Sequence, residues 1–328
     1  MRSSIICKQI QFYGGMMMKK IYLCLAALLL VSCSRTEEKD LKIVCPTGAP
    51  AIAFYKEASN ANFETNSVPS NIVAMMNDNS DKDLVVIDTV SGLKAVKNGA
   101  PYRIAANITL GNFFIASTGN DEDRTMNPGD TIVLFGQNQT PDYLFHYLYG
   151  DIYDETVEFV GNVSDAAVCL SSGKNLLTSS SVDYVFIAQP ALYSALNNPN
   201  AATYSKASVY LDVQEAYRER SGQSSLIQAS VFVKNGADRN SVENYLNTLK
   251  ENIADAIKTP SLVQDSLNSL SEEEALSRYG IKASVAVNVL AENNALGLGY
   301  VEASENKSAI DAFISLFGME ATDEEDYF

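Results

Sequence analysis

The chain has 328 residues, a formal net charge of −16 and 46% hydrophobic residues, and it is long enough for two globular domains of ordinary size. A surface this acidic repels phosphate groups, so we expect neither nucleic-acid binding nor flat adsorption to an anionic membrane. There is one histidine and no Cys-x-x-Cys pair, which leaves almost nothing from which to build a zinc site. We therefore predict no metal and no cofactor.

The N-terminal segment has the layout of an export signal that ends at a cysteine. Lys19 and Lys20 precede an apolar run of 11 residues, 21–31, and Ser32 and Cys33 follow before a polar segment. A membrane-spanning helix needs about 20 apolar residues, so a retained helix is the less favoured alternative. Residues 1–32 are predicted to be a signal peptide, with residues 1–15 upstream of a later translation start at a triple methionine.

Removal of residues 1–32 takes away four basic residues and no acidic one, which leaves a formal charge of −20. Residues 33–40 are predicted to form a solvated leash, and residues 321–328 an acidic tail that frays. Cys45 and Cys169 are either two small buried hydrophobic residues, the favoured interpretation, or a disulfide pair.

Short apolar strands alternate with helical patterns along the rest of the chain, which predicts an α/β fold with mostly parallel sheets. The predicted strands are, in chain order, 41–45, 83–87, 102–108, 112–117, 130–135, 157–160, 183–187 and 230–233. The predicted helices are 50–54, 67–76, 93–97, 142–149, 165–172, 191–197, 239–258, 262–269, 271–279 and 308–316.

Four local patterns, in this order and together with the cysteine at 33, resemble the solute-binding lipoproteins of ABC importers. The branch that they resemble most includes binders of nitrate, sulfonates, taurine and thiamine precursors. Many relatives end the last pattern in Glu-Pro, so Gln189 is a departure. The patterns are Pro46-Thr47-Gly48-Ala49-Pro50-Ala51, Leu84-Val85-Val86-Ile87-Asp88, Gly99-Ala100-Pro101-Tyr102, and Asp183-Tyr184-Val185-Phe186-Ile187-Ala188-Gln189-Pro190.

The resemblance implies a type II periplasmic-binding fold, in which two Rossmann-like lobes are joined by a hinge of two crossings. Lobe I would comprise 41–110 plus 230–320 and lobe II 111–229. Cys33 would be acylated and anchor a monomer on the extracytoplasmic face of the membrane. The lobes would capture a small solute and deliver it to an ABC permease. The alternative is a surface interaction protein, or antigen, of the same fold that transports no solute.

The candidate solute contacts lie in the loops that end strands, because ligands of open α/β sheets sit outside the carboxyl ends of the strands. Gly48 and Gly136 allow a ligand to approach backbone N–H groups at helix starts. These loops lack Arg and Lys, which favours a neutral polar or heteroaromatic solute. The candidates are Thr47, Gly48, Ala49, Asp88, Thr89, Ser91, Gly136, Gln137, Asn138, Thr140 and Gln189.

Several of these residues have a structural alternative. Thr140, which precedes Pro-Asp, is predicted mainly to cap a helix, with solute contact as a second role. Asp88 is either a charged group on the cleft wall or a turn cap. Gln137 and Asn138 are favoured as solute contacts. The lone His146 fits a packed or surface position better than a catalytic base, and no hydrolase or phosphate-binding motif is present, so no enzyme is predicted.

Overall fold

A computed structural model describes residues 40–120, 125–153 and 155–328. Residues 1–39 lie outside this range, so the predicted signal peptide, the leash and lipidation at Cys33 fall outside the described residues. Within the described part of the chain, no helix has the length and apolar character needed to cross a bilayer. The described residues form two β-sheets with helices packed against them.

The described residues contain eleven strands and twelve α-helices. The strands are β1 (Ile43–Pro46), β2 (Phe63–Asn66), β3 (Leu84–Asp88), β4 (Tyr102–Thr109), β5 (Phe113–Ser117), β6 (Ile132–Phe135), β7 (Val157–Val160), β8 (Tyr184–Ala188), β9 (Ser208–Asp212), β10 (Ala229–Lys234) and β11 (Leu298–Glu302). The helices are α1 (Ala49–Ile52), α2 (Pro69–Ala74), α3 (Thr89–Lys97), α4 (Thr140–Tyr149), α5 (Val163–Ser172), α6 (Ala191–Leu196), α7 (Val213–Ser221), α8 (Arg239–Lys258), α9 (Ser261–Leu267), α10 (Glu272–Tyr279), α11 (Ala283–Ala291) and α12 (Lys307–Ser315).

The first sheet has the strand order β2-β1-β3-β10-β4-β11. Strands β1, β2 and β3 pair in parallel, whereas β10 runs antiparallel to both of its neighbours, β3 and β4. β11 pairs antiparallel with β4 at the edge. Four of the six strands therefore point the same way, and β10 is inserted among them from a distant part of the chain.

The second sheet repeats this plan with the order β7-β6-β8-β5-β9. β6 pairs in parallel with β7 and β8, and the inserted strand β5 runs antiparallel to β8 and β9. Each inserted strand comes from the far side of a crossing, because β5 follows β4 of the first sheet and β10 follows the last elements of the second. The predicted α/β fold with two mostly parallel sheets is confirmed.

The elements that the sequence pattern missed are mainly edge elements. β2, β9 and β11 stand at the ends of the two sheets, and few of their residues are buried. An edge strand exposes one side to water, so it lacks the apolar run that marks a central strand. The strongly polar helix α7 and the helix α11 were missed as well.

A chain of buried polar side chains crosses the middle of the first sheet. The Thr89 hydroxyl lies 2.6 Å from that of Ser230, and Asn107 Nδ2 donates to Ser230 Oγ at 2.8 Å. Asn306 Nδ2 in turn donates to Asn107 Oδ1 at 2.8 Å, from the turn before α12. Because buried polar groups need partners, this chain fixes α3, β10, β4 and α12 in one arrangement.

The C-terminal residues are docked, so the prediction of a frayed tail was wrong. Phe328 N donates to the Ile104 carbonyl at 3.0 Å, and the Tyr327 and Thr322 hydroxyls lie 2.6 Å apart. Tyr327 is buried against the second large cluster of core residues. Lys97 approaches the Asp326 carboxylate to 3.4 Å. Two terminal aromatic rings and one lysine outweigh the acidic character that suggested fraying.

Both cysteines of the described residues are buried free thiols, as the favoured interpretation predicted. Cys45 belongs to β1 in the first sheet, and Cys169 to α5 against the second. They contribute to two separate clusters of core residues.

Removal of the central hydroxyl of the polar chain should destabilise the fold. Ser230→Ala leaves Thr89 Oγ1 and Asn107 Nδ2 without their shared partner, which is expected to lower the free energy of unfolding by about 2 to 4 kcal/mol. Ser315→Ala, at an exposed hydroxyl on α12, is the matched control and should change it by less than about 0.5 kcal/mol. Urea unfolding measures both, and equal losses in the two variants would contradict this role.

Candidate functional site

Asp88 ends β3 and caps the helix that follows. Its Oδ1 accepts a hydrogen bond from Ser91 N at 2.8 Å, which satisfies one free N–H group of the first turn of α3. Of the two interpretations of Asp88, the cap is therefore confirmed. The capping bond uses one carboxylate oxygen and leaves Oδ2 directed to another contact.

That contact comes from the second sheet, at the start of α4. Gln139 is the N-cap residue of α4 and makes no side-chain capping bond, so the prediction that Thr140 caps this helix was wrong. Thr140 is the first helical residue, and its hydroxyl donates to Asp88 Oδ2 at 3.3 Å. Asp142, in the first turn of α4, accepts a hydrogen bond at its Oδ2 from Asn138 N at 2.8 Å, which ties the loop before the helix to its first turn.

The Asp88–Thr140 hydrogen bond joins the loop after β3 in the first sheet to the loop after β6 in the second. We call the region around it the junction. It comprises Asp88, Ser91, residues 136–140 and the two crossings between the sheets, which are residues 109–112 (the first crossing) and 228–230 (the second crossing). Two further contacts connect the same two halves. Asn288 Nδ2 of α11 donates to the Tyr193 hydroxyl of α6 at 2.8 Å, and the rings of Tyr143 and Phe317 lie 4.7 Å apart. These contacts hold the two halves together in the described part of the chain.

The crossings run side by side at the base of the junction. Gln228 N donates to the Thr109 carbonyl and Thr89 N to the Gln228 carbonyl, both at 3.0 Å. Sheet register places Ala229 opposite both Asp88 and Thr109. The end of β3, the start of β10 and the end of β4 therefore meet at one edge of the first sheet.

A third segment, the turn before β11, supports the first crossing and was missed by the sequence analysis. Leu110 N donates to the Gly297 carbonyl at 2.7 Å. Gly297 has a φ of 67°, and a Cβ there would stand 1.9 Å from the carbonyl oxygen of Gly111. Only glycine fits such an approach. The sequence Gly297-Leu-Gly could have suggested close backbone packing, although not its partner.

Three polar side-chain atoms at the crossings are buried and have no hydrogen-bond partner among the described residues: Thr109 Oγ1, Asn112 Oδ1 and Gln228 Oε1. The orientation of the Asn112 amide is fixed, because its Nδ2 donates to the Gln189 carbonyl at 3.0 Å. Its oxygen must therefore face the other way. Buried polar atoms in proteins nearly always have a partner, so these atoms indicate a place for a bound molecule or water.

Several predicted contacts already have partners within the chain. The Thr89 hydroxyl is fully buried in the polar chain of the first sheet. Gly48 N donates to the Tyr279 carbonyl at 2.7 Å, and the turn at Gly280 packs on Thr47, so the end of α10 covers the loop after β1. Ala49 is buried as well.

Gln189 lies beside the first crossing but has a structural role. Its Oε1 accepts from Tyr193 N at 3.0 Å at the start of α6, and its backbone N–H donates to the Asn112 carbonyl at 2.9 Å. By contrast, Gln137 and Asn138 are exposed, in a loop where Gly136 and Asn138 have positive φ. The structure thus brings together Asp88, Ser91 and the loop 136–140.

The junction is acidic. Burial raises the pKa of the Asp88 carboxyl, and the hydrogen bonds from Ser91 and Thr140 partly oppose that change. Among the ion pairs of the described residues, none includes Asp88. No group of three or more His, Cys, Asp or Glu side chains within the described ranges is placed to hold a metal ion.

A groove of about 510 Å³ lies elsewhere on the molecule, between α5 and α6. Small side chains line it, among them Ala167, Ser171 and Ala195. None of its lining residues belongs to the junction. We consider the junction the better candidate site, because buried polar groups from both sheets converge there.

The raised pKa predicts how stability varies with pH. A carboxyl whose pKa is raised on folding favours the folded state below its ordinary pKa of 3.8, and this contribution is lost as the pH rises through the folded-state pKa. Asp88→Asn removes the charge and retains a capping oxygen. The free energy of unfolding of this variant, relative to that of the unchanged protein, should therefore increase from about pH 4 to about pH 7.

Urea unfolding at several pH values measures this difference. Asp238→Asn, at the exposed cap of α8, controls for the loss of a capping carboxylate. A relative stability of Asp88→Asn that falls over the same pH range would contradict the assignment.

No protein-family model matches the sequence, and no curated protein matches it. Solved structures do match over most of the chain. An ABC transporter protein from Parabacteroides distasonis is 15% identical, with 88% of this chain and 98% of that one covered and a TM-score of 0.66. The aliphatic sulphonate binding protein SsuA from Escherichia coli is 14% identical, with 85% and 86% covered and a TM-score of 0.60.

The alkanesulfonate-binding protein SsuA from Xanthomonas axonopodis pv. citri, bound to MOPS, is 14% identical, with 85% and 92% covered and a TM-score of 0.54. At such low identities the likeness is one of fold. The resemblance predicted from the sequence is confirmed at this level: the chain has the type II periplasmic-binding fold found in the solute-binding proteins of ABC importers.

Proposed function

We propose that this protein is the solute-binding component of an ABC importer. It is exported, acylated at Cys33 and held as a monomer on the extracytoplasmic face of the membrane. It captures a small polar solute between two lobes and presents the closed form to a permease. The fold that this chain shares with an ABC transporter protein and with two sulfonate-binding proteins supports this function.

The observation that carries the proposal is the hydrogen bond between Thr140 Oγ1 and Asp88 Oδ2. It connects the loop that follows β3 in the first sheet to the loop that follows β6 in the second, and the two sheets are built on the same strand order. Loops at the carboxyl ends of strands are where α/β proteins bind ligands. Loops from two halves that reach each other can enclose a solute, and separation of the same halves can release it.

We assign the two sheets to two lobes, 41–110 with 230–320 and 111–229. The hinge would be formed by the crossings at 109–112 and 228–230. The contact between Asn288 and Tyr193 would then be a latch that forms only on closure. Because a single side-chain hydrogen bond contributes little net free energy, such a latch can break without great cost.

The proposed solute contacts are the members of the junction that have exposed or unpartnered polar atoms. Gln137 and Asn138 offer exposed amides at the mouth, and Gly136 lets the backbone approach. Asp88, Ser91 and Thr140 form the inner wall. Thr47, Gly48, Ala49 and Gln189 would support this wall, and Thr89 would hold α3 in place from within.

We propose binding without catalysis. The polar groups of the junction serve as helix caps and as hydrogen-bond donors and acceptors. His146 Nδ1 lies 3.0 Å from Asp142 Oδ1, four residues earlier in the same helix, so the two side chains pair within α4. A packed, paired histidine of this kind does not require a catalytic role.

The proposal is tested by thermal unfolding of residues 34–328 with a panel of amines, amides, nucleobases, vitamins and small sulfonates. Protein freed of copurified solute by unfolding and refolding is the starting material. A solute at 100 times its dissociation constant should add about 2.7 kcal/mol of stability. Gln137→Ala with Asn138→Gly should weaken that binding and leave the unliganded melting temperature nearly unchanged, because both residues are exposed and glycine accepts the positive φ at position 138.

Gln223→Ala with Asn235→Ala, two amide residues outside the junction, is the control and should bind as the unchanged protein does. If no solute raises the melting temperature, while a protein partner is captured at the cell surface, the interaction-protein alternative replaces the proposed function. Unaltered affinity in the Gln137 and Asn138 variant would remove those two residues from the site.

Lipid attachment is tested separately at Cys33. Cys33→Ser should abolish incorporation of a labelled fatty acid and release the protein from the membrane fraction. Cys24→Ser, within the predicted signal peptide, should leave both unchanged. Label that persists in the Cys33 variant would show that the anchor lies elsewhere or is absent.

A further inference from the structure

The base of the junction presents buried side-chain oxygens that can accept hydrogen bonds. Thr109 is 0% exposed and Asn112 3% exposed, and both have a side-chain oxygen without a partner among the described residues. Gln228 Oε1 is the third such atom. Nδ2 of Asn112 already donates to the Gln189 carbonyl, so the oxygen is the atom of this amide that has no partner among the described residues. A molecule that satisfies the oxygens of Asn112 and Gln228 must supply N–H or O–H donors, whereas the Thr109 hydroxyl can either donate or accept.

The same acceptors lie beside Asp88. Ala229 pairs with both Asp88 and Thr109 in the sheet, Gln228 is its chain neighbour, and Asn112 follows Thr109 by three residues. The hydrogen bond that Asp88 Oδ2 accepts from Thr140 is 3.3 Å long, which is long for a bond to a carboxylate. The Asp88 carboxylate and three neutral side-chain oxygens therefore lie at one end of the first sheet.

The local charge decides which kind of donor fits. A helix N-terminus carries about half a positive charge and would favour an anion. Here each of the two helices that begin at the junction already has a carboxylate of its own, Asp88 at α3 and Asp142 at α4. Asp88 has no cationic side chain paired with it in the described part of the chain. Lys94 of α3 partly shields the Asp88 carboxylate, since its charge lowers the pKa of that carboxyl, but it forms no ion pair with it. An anionic solute would therefore meet an unpaired carboxylate, whereas a cation would neutralise it.

We infer that the solute presents a positively charged N–H donor group, such as an amidinium, guanidinium or ammonium group, to Asp88 and to the oxygens of Asn112 and Gln228. This inference rests on the proposed function and narrows its solute class. It excludes sulfonates, the ligands named for two of the similar structures. It also replaces the neutral solute that the absence of Arg and Lys alone suggested.

Three small probes of nearly equal shape and different charge test the inference: acetamidinium, acetamide and acetate, with methanesulfonate as a second anion. Refolded, solute-free protein labelled with ¹⁵N is titrated at constant ionic strength, and the side-chain amide signals of Asn112 and Gln228 are followed. Acetamidinium should bind at least tenfold more tightly than acetamide, and the two anions should give no saturable shift at these signals.

Asp88→Asn should weaken acetamidinium binding at least tenfold while the variant stays folded, because asparagine retains the capping oxygen. Asp238→Asn, the cap of α8, changes the net charge equally and should bind acetamidinium as the unchanged protein does. This pair separates a specific contact from a general effect of protein charge.

Tighter binding of acetate or methanesulfonate, equal binding of all probes, or no saturable shift with any of them would each overturn the inference. Failure of the proposed function is distinguishable. If a solute from the panel, anionic or neutral, stabilises the protein through Gln137 and Asn138, solute binding stands and only the cationic class is lost. If no solute stabilises the protein, the function itself fails.

Discussion

The hydrogen bond from Thr140 to Asp88 is the interaction on which this account depends. It is one contact of 3.3 Å, but it connects the ends of strands in two different sheets and does so from the first residue of one helix to the cap of another. Because Asp88 also caps α3, the same carboxylate fixes a helix start and meets the opposite half. A solute that inserts between these two groups can replace the Thr140 hydroxyl without uncapping α3.

The exchange of strands makes such a junction possible. β5 and β10 are each inserted antiparallel into a sheet after a crossing, so the two crossings lie together at one end of both sheets. The backbone groups there are satisfied by one another, as with Gln228 and Thr109. Their side-chain oxygens are not. This combination suits a binding site. The backbone hydrogen bonds keep the crossings in place when the ligand leaves, and the side-chain oxygens remain available to bind it.

The central strands, the fold class and the capping role of Asp88 could be predicted from the sequence, because apolar runs and cap residues act locally. Edge strands such as β2 could not, since one face of each meets water. The roles of Thr140, Thr89 and Gly48 depend on partners that are distant in sequence, so no local pattern reveals them. Thr140 meets Asp88, 52 positions away, whereas Thr89 and Gly48 meet residues of β10 and α10. The docked tail was mispredicted for the same reason: Ile104 lies far from Phe328 in sequence.

The most direct test of the central claim is the distance between the two halves with and without solute. Spin labels at Val68→Cys and Leu177→Cys, exposed positions on the two sides, report it in protein that begins after Cys33. The account predicts a longer and broader distance distribution in solute-free protein, and a narrow one that matches this closed structure when solute binds. Identical distributions in the two states would contradict it.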